Sequence, residues 1–337
     1  MNKTALSMAV AAALATPLAL AADVTVYGRA HVSVDYLDDG DDYSELNISS
    51  NSSRLGFKAQ TETEAGLTAL MQIEGEITYN QGSSNVSNRD TFVGLRGDFG
   101  MIRAGQFDTP FKRARGPANL FGDQMGDMRN FTRVDMGRFD ERTPNTLHYQ
   151  SPAFGALQAN LAYSFHEGTE AEDGVDDQAI SISLTWKDGP FDAAVAYEEY
   201  DDDANNGGRD AIRAAAGYDV SDVLKVVGFY QTISHDDDTQ EADVFGLGAQ
   251  YALAPMTALK AMYMNRSGDG ADADSDMVVL GVEHRLDRAV RVYANLAMVD
   301  NDDNVDLTPW NQGRSVGADG AAGETATGFS VGLRYDF

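Results

Sequence analysis

The sequence predicts an all-β chain: a transmembrane, up-and-down antiparallel β-barrel of about 16 strands. Three observations predict it. Period-two alternation recurs in segments of roughly ten residues, the pattern of a strand with two different faces. The connections between these segments alternate between short turns and long polar loops, so the two ends of the sheet meet different environments. Nearly every segment has a small or polar second face, and aromatics recur near segment ends: Tyr36, Phe57, Tyr79, Phe165, Trp186, Tyr200, Tyr218, Tyr251 and Phe337. A soluble sandwich would turn one apolar face onto a dry core and would need neither feature. A sheet in hydrocarbon cannot leave an edge unpaired, so it must close, with aromatic girdles at the two interfaces.

Residues 1–21 read MNKTALSMAVAAALATPLALA, with one charge at Lys3, an apolar run, and Ala19 and Ala21 as a small-x-small cleavage signature. This is a secretory leader, too short and alanine-rich for a spanning helix. Cleavage is expected after Ala21, with Ala22 the alternative, leaving one barrel domain over 22–337.

The first strand places Val24, Val26, Gly28, Ala30, Val32, Val34 and Tyr36 on one face and Thr25, Tyr27, Arg29, His31, Ser33 and Asp35 on the other. Further strands are expected near 50–62, 66–79, 89–98, 100–108, 143–151, 156–166, 178–188, 190–200, 209–219, 222–234, 242–252, 256–266, 276–286 and 289–300. The last, 325–337, sets Phe329, Val331, Leu333, Tyr335 and Phe337 against Ser330, Gly332, Arg334 and Asp336. Tight turns fall at 64–66, 98–100, 151–155, 187–190, 219–221, 253–255 and 286–288, the periplasmic side. Long loops fall at 38–49, 80–88, 109–142, 167–177, 201–208, 235–241, 267–275 and 301–324, the extracellular side.

The third long loop differs from its neighbours. Between Pro110 and Arg142 it carries Lys112, Arg113, Arg115, Arg129, Arg133, Arg138 and Arg142 against Asp123, Asp127, Asp135, Asp140 and Glu141, a local positive excess. A structureless segment of this length inside one domain is ordinarily functional. A charge balance unlike the acidic loops beside it fits a segment folded into the lumen.

Composition excludes several function classes. The net charge is −28, which disfavours nucleic acid. There is no cysteine, so the exported fold closes by hydrogen bonding and packing. His31, His148, His166, His235 and His284 show no metal-ligand spacing, and no nucleophile-elbow motif occurs. A barrel hydrolase stays formally open, because a triad is recognised by geometry. The acidic runs 38–42, 170–177, 201–203, 236–238 and 269–276 crowd one mouth. Asp272, Asp274 and Asp276 have a spacing that could serve Ca²⁺, but lack the glycine and terminal glutamate of a calcium loop. A solvated acidic rim is the preferred reading. No cofactor is expected.

Taken together and in order, several motifs resemble those of the Gram-negative general diffusion porins, 16-stranded and trimeric. They are ValThrValTyrGlyArgAla at 24–30, SerSerArgLeuGlyPheLysAla at 52–59, GluAlaGlyLeuThrAla at 64–69, and GlnIleGlu at 72–74. Further along come AsnArgAspThrPheValGlyLeuArgGlyAspPheGly at 88–100, AlaGlyGlnPheAspThrPro at 104–110, AsnThrLeuHisTyrGlnSerPro at 145–152 and the terminal Phe337. The resemblance spans the chain after the leader. It implies a water-filled channel through which small ions and hydrophilic solutes diffuse, narrowed by loop 110–142. It also implies residue roles: Arg29, Arg54, Arg89 and Arg142 as the basic wall, and Asp123, then Asp127, as the acidic loop residues facing it. Lys58, Lys112, Arg113 and Arg115 are further lumen candidates, while Arg213, Lys260, Arg285, Arg291 and Arg334 are assigned to wall solvation. Phe337 takes the place of the signal read by the outer-membrane assembly machinery. A homotrimer among outer-membrane lipid and lipopolysaccharide follows, with 80–88 as a latch on a neighbour. The family pattern has an acidic residue just before PheGly, where Asn119 and Leu120 stand here. With LysArgAlaArg at 112–115 added, charge counts leave the sign of selectivity open. A solute-specific porin for sugar or phosphate, and a plugged structural or adhesive barrel, are the alternatives.

Overall fold

The computed structural model describes residues 23–134, 137–165, 178–201 and 207–337. The expected leader 1–21, Asp135, His166, the acidic run 170–177 and Asp202 and Asp203 lie outside the described residues. Sixteen long strands form one closed antiparallel meander. They are β1 (Asp23–Asp38), β2 in two pieces (Ser44–Ser50 and Arg54–Glu62), β3 (Thr68–Thr78), β4 (Thr91–Gly97), β5 (Gly100–Asp108), β6 (Arg142–Gln150), β7 (Leu157–Ser164) and β8 (Ala179–Asp188). The circuit continues with β9 (Phe191–Tyr200), β10 (Arg209–Asp219), β11 (Leu224–His235), β12 (Ala242–Ala254), β13 (Thr257–Gly268), β14 (Ser275–Arg285), β15 (Val290–Asn301) and β16 (Thr325–Asp336). β16 pairs with β1 in the register Arg29↔Asp336 and Ala30↔Tyr335, and Phe337 and Gly28 exchange backbone hydrogen bonds of 2.8 and 3.1 Å across the seam. Among the described residues no helix is long and apolar enough to cross a membrane.

The expected boundaries hold to within a few residues, with one correction. Segment 38–49 was expected to be loop, yet Ser44–Ser50 extends β2 against the upper half of β1. Leu46 and Ile48 point outward there, and Ser49 and Ser50 are buried. At the break Ser52 takes φ 51°, and the Ser53 hydroxyl accepts from the His31 amide and donates to its carbonyl, so the interruption loses no buried hydrogen bond.

The outward face is apolar and the inward face carries the charges. Tyr36, Tyr79, Phe165, Trp186, Tyr218, Tyr251 and Phe337 are exposed on the outside, as girdle aromatics should be. Tyr200 is a correction: it is fully buried on the lumen face, against Phe139 and the Arg209 guanidinium.

The segment after β5 folds into the barrel. Thr109 caps a short helix, α1 (Pro110–Ala114), by accepting from the Lys112 amide; a 3-10 turn (Gly116–Ala118) and helix α2 (Arg129–Thr132) follow. Two apolar contacts hold this loop to the wall. Phe111, Ala114 and Phe139 pack on Ala179, Ala194, Ala196, Ala211 and Ile233. Phe121, Met125, Met128 and Phe131 pack on Met262, Met264, Met277, Val279, Ala297 and Val299. The expectation of a small or polar second face therefore fails on β13 to β15, whose lumen side is apolar because the loop covers it. Burying each of the four large loop side chains contributes about 1.5–3 kcal/mol. Close approach is made possible by glycines. A β-carbon at Gly281 would stand 2.7 Å from Phe121, and one at Gly328 would stand 2.5 Å from Met125.

A second loop enters from the same mouth. Residues 306–318 were expected to be ordinary outer loop but form a strap across the first. Trp310 is fully buried beside Gly328, with its ring nitrogen donating to the Ala318 carbonyl. Gly126 donates to the Pro309 carbonyl at 2.7 Å, and Gln312 both accepts from the Arg133 guanidinium and donates to its carbonyl. The far end is tied to the wall. Ser315 pairs with Ser50 and Asn80, Ser52 donates to the Gly313 carbonyl, and Arg314 forms a fully buried ion pair with Asp35.

Candidate functional site

The loop tip faces the strand wall at Asp123, whose backbone is left-handed with φ 59°. Its carboxylate lies 2.8 Å from Arg29 on β1, 3.7 Å from Arg54 on β2 and 2.9 Å from Arg129 of its own loop. Arg29 also holds Asp336 at 2.9 Å, and Arg29 and Arg54 are register neighbours across β1 and β2. Burial alone would raise the Asp123 pKa. The guanidiniums of Arg129, Arg54 and Arg29 outweigh it and keep the carboxyl far below its usual range.

The wall continues on β3 to β6. Glu74 accepts from Arg89 at 2.6 Å and stands 3.6 Å from Arg54, while Arg142 bridges Asp90 at 2.8 Å and Asp108 at 2.6 Å. Lys112 reaches Asp108 at 3.1 Å from the loop side. Burial pulls its ammonium down to about 8 even with Asp108 beside it.

Arg29, Arg54, Arg89, Arg142, Asp123, Lys112 and Arg115 all line one cavity of about 560 Å³ on the tight-turn side of the loop. Arg129, Lys225, Lys260, Arg285, Arg291 and Arg334 line it too, giving twelve cationic side chains against the carboxylates of Asp108, Asp123 and Glu283. Lys260, Arg285, Arg291 and Arg334 thus belong to the charged lining. Lys225 and Arg129 had not been singled out; Lys225 shares its face of β11 with Val227, Phe229, Gln231 and Ile233.

Two expectations are corrected. Asp127 does not face the wall: it is fully buried, accepting from the Asp123 amide at 2.7 Å and pairing with Arg129, so it shapes the loop tip from behind. Arg213 is no solvated wall residue: it is fully buried and pairs with Asp140, pinning the return of the loop to β10. Burial raises the Asp140 pKa, but Arg213 outweighs it, giving about 2. Arg113 lies outside the cavity and pairs with Asp90, and Lys58 lies near the turn-side rim over the Tyr27 ring. Among the described residues no group of three potential metal ligands converges. Asp274 takes the Ser267 hydroxyl and Asp276 takes Tyr263, so the Asp272–Asp276 spacing forms no pocket.

The family profile described as Gram-negative porin matches residues 7–304. This chain is a Gram-negative porin. It is 29% identical to outer membrane porin protein 32 of Delftia acidovorans over 364 aligned positions, covering 100% of both chains. It is 25% identical to a major outer membrane protein P.IB of Neisseria gonorrhoeae, over 81% of this chain and 96% of that one. Among solved structures, the anion-selective porin from Comamonas acidovorans superposes with a TM-score of 0.79 at 25% identity, covering 94% of this chain and 100% of that one. The relatives are channel proteins. The porin is an outer-membrane β-barrel for passive diffusion, with the charged cavity just described inside it; a plugged or solute-specific barrel is not favoured.

Proposed function

We propose that this porin passes small hydrophilic solutes and ions with a preference for anions. The observation that carries the reading is the cavity under the loop, where twelve cations face three carboxylates. Low-dielectric walls focus that field and raise the local concentration of negative solutes. Arg29, Arg54, Arg89 and Arg142 form one bank, and Asp123 supplies the opposing charge. The cavity lining is positive although the chain carries a net charge of −28. The similar Comamonas structure carries the description anion-selective, which agrees. No step makes or breaks a covalent bond.

On this reading the leader 1–21 is removed, Phe337 is presented to the assembly machinery, and a homotrimer forms among outer-membrane lipid and lipopolysaccharide, with 80–88 reaching a neighbour. The test is a reversal potential in a KCl gradient across a planar bilayer. A sign set by chloride is expected, and a sign set by potassium would overturn the preference. Selectivity and size cutoff left unchanged by replacing Arg29, Arg54, Arg89 and Arg142 with alanine would remove those four from the role. Conductance steps in multiples of three are expected for the trimer.

A further inference from the structure

Most cations around the cavity are already neutralised. Arg29, Arg54, Arg89, Lys112, Arg129 and Arg142 each hold a carboxylate, and Lys260, Arg285 and Arg291 share Glu283. Arg115 and Lys225 differ. Among the described residues neither makes an ion pair or a side-chain hydrogen bond, and the buried Arg115 Nη1 has no partner. Asp219 is the register neighbour of Lys225 on β10 but forms no ion pair with it. Burial, with Arg129 nearby, lowers the Arg115 pKa from its usual value, so this guanidinium would gain from a negative partner.

Both cations line the cavity beside the turn at Gly116–Ala118. Arg115 leads directly into that turn. Gly217 on β10 faces the other side of it. A β-carbon there would stand 2.8 Å from the Pro117 carbonyl and 3.0 Å from the Lys225 side chain, so the missing β-carbon admits both. On the other flank Lys225 is directly opposite Gln250 across β11 and β12, and Gln250 lines the same cavity. Cross-strand neighbours of this kind carry β-carbons about 5 Å apart. The amide of Gln250 therefore adds neutral donors beside the ammonium.

We propose that Arg115, Lys225 and Gln250 form a binding site for a small divalent oxyanion on the periplasmic side of the constriction. Two cations without a direct ion pair suit a ligand with two negative charges, and the fork of Arg115 suits adjacent oxygens. The site is a resting place on a general pathway rather than a filter for one solute. Binding is favourable enough for entry and weak enough for release, as a conducting pore requires. The inference rests on the channel reading and refines the anion preference.

The test uses the full porin in planar bilayers, with chloride as current carrier and inorganic sulfate as probe. Sulfate is expected to block the chloride current saturably, while nitrate at matched ionic strength is not. In the Arg115→Gln/Lys225→Gln variant the half-blocking concentration is expected to rise at least about tenfold, the loss of two charge-assisted contacts. The variant's own chloride steps show that it has folded. A sulfate current that never saturates, or equal block in the variant, would overturn the site. Equal block by nitrate would overturn the divalent class. Channel steps without block would sink this site alone, whereas absence of channels would sink the porin reading itself.

Discussion

Asp123 and Arg29 touch at 2.8 Å although 94 positions separate them in the chain. The contact joins the tip of the inserted loop to the first strand. It also removes one negative charge from a cavity that has few. Asp123→Asn keeps the size and deletes the charge. At a pair strength of about 1 kcal/mol for charges in a watery passage, the anion-to-cation permeability ratio should rise roughly fivefold. The reversal potential in a KCl gradient measures it.

The loop lies on a wall that has room for it only where side chains are missing. Gly281 faces Phe121 in this way. Gly281→Val should push the loop off β14 and into the free lumen, costing about 1–3 kcal/mol in strain. Single-channel conductance should fall, and the barrel should lose its heat-resistant gel mobility at a lower temperature than the parent.

Arg213 and Asp140 form a fully buried pair. Arg213→Met leaves the carboxylate uncompensated and should cost about 3–5 kcal/mol, read as a loss of protease resistance within 110–142. Arg213→Met with Asp140→Leu should recover most of it. The pH dependence has a definite sign. The folded pKa of Asp140 is depressed to about 2, so the pair's stabilisation is present above the ordinary aspartate value and is lost as pH falls through about 2.

Lys112 gives the eyelet a titratable charge. Its pKa is lowered to about 8, so it is protonated below that pH and neutral above it. Raising pH through about 8 should remove one positive charge and reduce the chloride preference. Lys112→Met should show the reduced preference at every pH and lose that step in the profile.

The strap 306–318 closes the outer side of the loop through Gln312 and Trp310 and the wall through Arg314. Deleting 307–316 should raise the conductance step and admit larger neutral sugars in a liposome-swelling assay. An unchanged step would show that the strap lies off the permeation path.

The barrel was legible because alternation is local: Val24 to Tyr36 reveals its two faces without reference to any other strand. The basic wall was legible because Arg29, Arg54, Arg89 and Arg142 sit in short motifs whose order is kept. What escaped depends on contacts between distant segments. Met277 and Val279 alternate with the outward Val278 and Leu280, so β14 is apolar on both sides. A strand covered on both faces reads as such a run, which was the available sign that something inside the barrel lies on it. Asp127 and Asp123 look equivalent in sequence; only the backbone turn at Asp123 decides which faces the wall. Trp310 and Arg314 sit in a polar stretch without period, and nothing local separates a strap from a surface loop.

The hydrogen bonds between Phe337 and Gly28 join the last strand of the barrel to the first, and Arg29 stands at that seam with one hand on Asp336 and the other on Asp123. The first residue of the basic wall therefore receives its geometry from β16. A chain stopped short of β16 has neither a closed wall nor an oriented Arg29.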